Sequence, residues 1–191
     1  MGLKKKEYLL RKTESGQIGW TLGLWFVLFL GILLCALIQV EAFRASSQYM
    51  EDALAASNLA AAVIDVEEYG ISHRLRISSP EEAYARYQNA VAGNLNLNAQ
   101  WECGNKGLIS GPVHVENFTV YNVSGSEVDV RSFGGDGTAA GWHGILGQEK
   151  APNGKVVENT GVYSEISYQV RGLFGLNIMA RKGNLADITR D

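Results

Sequence analysis

The stretch from Ile18 to Ile38, IGWTLGLWFVLFLGILLCALI, contains no charged side chain. As a helix rising ~1.5 Å per residue it is long enough to cross a hydrocarbon core of about 30 Å. Its leucines, isoleucines, phenylalanines and valine each favour insertion by ~0.3–0.6 kcal/mol, on the order of −5 kcal/mol together. A core helix of a soluble protein rarely runs so far without a polar stripe. The run also exceeds the ~7–15 apolar residues of a cleaved signal peptide. Arg44 interrupts the small residues of Ala42-Phe43-Arg44-Ala45 that a cleavage site would need. The expectation is a retained anchor.

Charge gives the anchor a direction. The chain is 191 residues long with a net charge of −3. Ahead of the run, Lys4, Lys5, Lys6, Arg11 and Lys12 outnumber Glu7 and Glu14, so the acidic excess lies after it. A basic flank stays in the cytoplasm. Three regions follow: a basic cytoplasmic tail at 1–16, a transmembrane anchor at 17–40 and an extracytoplasmic domain at 41–191. The opening Met-Gly-Leu-Lys-Lys-Lys lacks the Ser or Thr that a myristoylation signal carries. Of the two cysteines, Cys35 falls in the anchor and Cys103 in the exterior domain, so no disulfide framework is expected.

From Gln39 to Glu68 there is neither Pro nor Gly, and alanine recurs. Alanine has the best helix propensity, and Phe43, Met50, Leu54, Ala61 and Ile64 share one helical face. One helix from about Gln17 to Glu68 is predicted, ending at Gly70. Its amphipathic half, DALAASNLAAAVID, packs in part on its own domain, while Phe43, Met50 and Leu54 are candidates for contacts with other subunits. Ser79 as cap, Pro80 at the first position, and Glu81 and Glu82 in the first turn mark a second helix, closed near Gly93. Tyr84, Tyr87 and Val91 give it one stripe to lay on a sheet.

The period then changes to two. VHVENFTVYNV (113–123) alternates, with Val113, Val115, Asn117, Thr119, Tyr121 and Val123 on one side. Ser124-Gly125-Ser126 turns the chain into EVDVRSF (127–133), completing a hairpin. Gly134 to Gly147 reads as a flexible Gly-rich loop and Ala151-Pro152-Asn153-Gly154 as a turn. Two more strands are predicted at 162–170 and 177–189, joined by RGLFGL with its apolar tip. The fold class expected is α+β: a single-pass N-terminal helix continuing as a long amphipathic helix, packed with a second helix against a small antiparallel sheet.

Signatures of catalysis are missing. GGDGTAAGWHG matches neither a P-loop nor a dinucleotide fingerprint, and Asp129 and Asp136 lack calcium-loop spacing. His73, His114 and His143 fall on separate elements and, with Cys103, do not make a zinc spacing. No catalytic residue, metal ligand or cofactor is assigned, and no basic aromatic patch speaks for nucleic acid. Asn117-Phe118-Thr119 and Asn122-Val123-Ser124 match the glycosylation sequon, both within a predicted strand.

The layout resembles the type IV pilin-like proteins, and within them the TadE-like minor pseudopilins of tight-adherence (Flp) pilus systems. The likeness rests on Glu14-Ser15-Gly16-Gln17 before the span, DALAASNLAAAVID after it, and the C-terminal VYSEISYQVRGLFGL with a last strand. It implies a pilin-like fold, partners among other pilus subunits and the bilayer, and cleavage between Gly16 and Gln17 by a prepilin peptidase. The fifth residue after that point is Thr21, where the family carries Glu, and Leu22 stands where small pilins have Tyr. An uncut, anchored subunit fits that departure. The competing expectation is a signal-anchored binding domain that uses Trp142 and His143 in the Gly-rich loop.

Overall fold

The computed structural model describes residues 2–104, 109–172 and 175–189, and side chains from Ile18 onward. The chain divides into two compact units, the first ending at Ala42 and the second starting at Phe43. The first is helical throughout its described length, as part of α1 (Gly2–Ala61). The helix therefore begins well before the predicted Gln17. The α+β expectation holds, with a long apolar N-terminal helix and a small antiparallel sheet.

In the second unit α1 ends at Ala61, short of the predicted Glu68, and a second short helix, α2 (Val66–Ser72), follows a break. Asp65 makes the break. Its carboxylate accepts from the Glu67 and Glu68 backbone N–H groups at 3.1 and 2.9 Å, capping α2. Gly70 lies inside α2, and His73 ends it in the left-handed region at φ 54°. The next helix, α3 (Pro80–Asn94), begins as predicted with Ser79 capping Glu82 and Pro80 in the first turn. The Asn94 side chain donates to Ser57 Oγ on α1 at 2.9 Å.

Five strands form one antiparallel sheet: β1 (Ile109–Ser124), β2 (Glu127–Gly134), β3 (Ala139–Ile145), β4 (Gly161–Arg171) and β5 (Asn177–Asp187). Their order is β3-β2-β1-β4-β5, with β1 at the centre. β3 corrects the sequence reading, since it lies within the expected Gly-rich loop and pairs along its length with β2. Leu173 and Phe174, the predicted apolar tip, lie outside the described residues. The last strand closes at Asp187 rather than Thr189.

Both faces of the sheet are covered. One packs Phe118, Val120, Val162 and Ile166 with Met50 and Leu54 of α1 and Tyr87 and Val91 of α3. The Phe118 ring lies 4.8 Å from Tyr87 and 5.4 Å from Tyr84, centroid to centroid. The other face holds Tyr121, Val128, Val130 and Tyr163 under Ala151 and Val157. The long α1 is tied to β5 through Asn58 Nδ2 on the Asn184 carbonyl (2.9 Å) and Lys182 Nζ on Glu51 Oε2 (2.8 Å).

The predicted single-sided alternation of β1 fails at one place. Val115 pairs with Ile166 and Asn117 with Glu165, so Glu116 is an extra residue, a β-bulge. Ile109, Val113 and Val115 face the helices before it, and Phe118 and Val120 after it. Tyr121 consequently faces the opposite core. The bulge also seats a close backbone approach. The Gly135 N–H donates to the Glu116 carbonyl at 3.1 Å, and a Cβ at Gly135 would collide with the Val115 carbonyl.

Candidate functional site

The feature with the plainest physical demand is the apolar run of α1. Among the described residues one helix is long and apolar enough to cross a membrane, and its most hydrophobic window has a mean hydropathy of 2.6 with none of it buried inside the chain. Trp20, Trp25, Phe26, Phe29 and the leucines between them are all exposed. Exposing that much apolar surface to water costs ~25 cal/mol per Å², so the helix suits a membrane span or signal anchor. Gly19 and Gly23 leave a shallow groove bounded by Trp20, Leu24 and Val27. Gly16 and Gln17 are helical, and their side chains lie outside the described residues.

The predicted contact residues fall elsewhere. Met50 and Leu54 are 0 % exposed and belong to the core of their own unit, with Phe43 partly buried against it. Their apolar character is accounted for by packing against the chain's own sheet and helices. The solvent side of the same helix instead carries Ala56, Leu59 and Ala60, at three- and four-residue spacing. Leu59 is 63 % exposed.

Trp142 and His143 sit on β3 rather than in a loop. Trp142 pairs with Val130, and its indole N–H donates to Glu149 Oε1 at 3.3 Å. His143 Nδ1 lies 3.7 Å from Asp129 Oδ1 across the ladder, both at the surface. They are brought onto opposite sides of an edge strand and do not converge. Cys103 is buried, and its thiol donates to the Leu95 carbonyl at 3.2 Å. Among the described residues no three His, Cys, Asp or Glu side chains are grouped as metal ligands. Asn122 is buried, with its amide donating to the Ile77 carbonyl and accepting from the Ile77 N–H, so a glycan has no room there.

One cleft escaped the sequence reading. It encloses about 330 Å³ between α3, the loop at 96–103 and the start of β1, and is lined by Tyr84, Gln88, Gln100, Trp101 and His114 among others. The loop is wound around Asn98, whose side-chain oxygen accepts from the Gln100 and Glu102 N–H groups at 2.9 Å each. Trp101 is held at φ 60° by donating its N–H to the Asn98 carbonyl and accepting from the Val113 N–H. A bulky side chain in that region costs about 1–2 kcal/mol. No local sequence pattern announces it, because the lining residues are gathered from four separate segments, Gly135 after β2 among them.

Comparison with models of known protein families, with curated proteins and with solved structures returns no match.

Proposed function

We infer that this chain is a membrane-anchored structural subunit of a pilin-like assembly, of the TadE-like pseudopilin kind. Its N-terminal side faces the cytoplasm and its sheet domain lies outside a bacterial cytoplasmic membrane. The observation that carries this reading is the unburied apolar run of α1, belonging to the same helix whose later turns supply Met50 and Leu54 to the domain core. The basic residues Lys4, Lys5 and Lys6 ahead of the run support the orientation. The second helix, α3, sharing a core with α1 and the sheet, supports the pilin-like plan. With Thr21 where a processed subunit carries Glu, the leader is retained and Gly16 stays joined to Gln17. Contact with neighbouring subunits then runs along Ala56, Leu59 and Ala60.

A photo-crosslinking residue at Leu59, in cells that hold the whole apparatus, tests the reading. Adducts with another membrane subunit are expected from Leu59 and none from Met50. Recovery of the monomer alone from Leu59 would overturn it.

A further inference from the structure

We propose that the cleft beside Trp101 binds a neutral sugar unit of a glycan. This assignment stands on the sheet domain alone and does not depend on the assembly reading. At about 330 Å³ the cleft is at the small end of the ~300–1,000 Å³ typical of small-molecule sites. Among the described residues no Asp, Glu, Lys or Arg lines it. A charged ligand would lose water there without gaining a counter-charge from those residues, so the occupant proposed is uncharged.

The lining has two kinds of surface. Trp101 and Tyr84 offer aromatic groups, and the Tyr84 ring is fixed by stacking on Phe133 at 5.0 Å with an interplanar angle of 11°. Gln88 and Gln100 beside them carry side-chain amides that both donate and accept hydrogen bonds. The matching ligand has apolar faces and an edge of groups that also donate and accept. A pyranose ring, with C–H faces and a rim of hydroxyls, has that pattern. The other neutral partner of aromatic grooves is a proline-rich peptide. It has carbonyl acceptors and almost no N–H donors, which would leave the amide oxygens of Gln88 and Gln100 unmatched.

Backbone geometry at Trp101 points the same way. The hydrogen bonds to the Asn98 carbonyl and from the Val113 N–H hold a bulky residue at φ 60°, a conformation seldom kept without a use for the side chain it presents.

The test uses the full chain in a sugar-free zwitterionic detergent, titrated with chitotriose, cellotriose and maltotriose, with an oligoproline peptide alongside. At least one trisaccharide should give a saturable change in tryptophan fluorescence that survives Trp142→Phe. By calorimetry, Gln88→Ala and Gln100→Ala should each weaken that binding about tenfold. Both alter partly or fully exposed side chains, so they carry the test even if Trp101→Ala fails to fold. The proposal is overturned by any of three results: no saturable response to the three sugars up to about 10 mM, unchanged affinity in both variants, or binding of the oligoproline peptide alone.

Discussion

Tyrosine is the residue on which pH acts most directly in this domain. Burial pushes the Tyr121 hydroxyl up to about 12, with the Glu149 carboxylate adding to the shift. Tyr87 and Tyr163 are raised further, again chiefly by burial. A raised folded-state value means the neutral form is favoured by folding. That stability is complete below about pH 10, the value in the unfolded chain, and is lost as the pH climbs through the folded-state value. Ultraviolet absorbance of tyrosinate should therefore show a delayed group ionising together with loss of near-ultraviolet circular dichroism at about pH 12. Smooth ionisation of all tyrosines with the fold intact would contradict this. At this scale the sequence was readable where a side chain acts on its own neighbourhood. Ser79 and Pro80 announce α3 by local chemistry. Asp65 carries a comparable signal, with Glu68 three residues on, but the alanine run before it outweighs that signal unless the cap is read first.

Between elements, the most exposed dependence is a single amide. Asn122 on β1 accepts from the Ile77 N–H at 2.8 Å and donates to the Ile77 carbonyl at 3.0 Å, pinning the segment ahead of α3 to the sheet. Asn122→Ala orphans two buried backbone groups at ~1–3 kcal/mol each. Urea unfolding in detergent should register a loss of about 2–4 kcal/mol, and a change below 0.5 kcal/mol, within the range of ordinary surface substitutions, would refute the clamp. Nothing near Asn122 in sequence reveals this bond, because its partner is far away along the chain. The strand β3 was hidden for a different reason. An edge strand is held by its backbone ladder, so Ala139, Ala140, Gly141 and Gly144 can sit in it without the alternating apolar residues that mark β1 and β2. The cleft beside Trp101 was equally illegible, as it exists only once α3, β1 and their connecting loop are assembled.

At the scale of the whole molecule the apolar run dominates behaviour. Leu28 lies in its middle and is exposed. Replacing it with Arg removes a favourable insertion term and adds an opposing ~2.5–3.5 kcal/mol. We expect Leu28→Arg to move a substantial fraction of the protein from carbonate-resistant membranes to the soluble fraction, while Leu59→Arg, outside the run, leaves partition unchanged. Equal partition of the two variants would argue against a span. This was the most legible part of the chain, since length and hydrophobicity are properties of composition and need no tertiary context. The positions Phe43, Met50 and Leu54 were legible as apolar, but what they touch was not. A helical stripe has the same spacing whether a sheet of its own chain or another subunit covers it.

The bulge at Glu116 divides β1 into two frames. A deletion that removes only the extra residue would let the strand run on with a single phase, and every core side chain from Ile109 to Val120 would keep its side. A deletion of Thr119, past the bulge, would rotate Val120 out of the helix-facing core and Tyr121 into it. The bulge at Glu116 is therefore an address in the central strand where its length is negotiable, and it coincides with the place where Gly135 comes down onto the backbone.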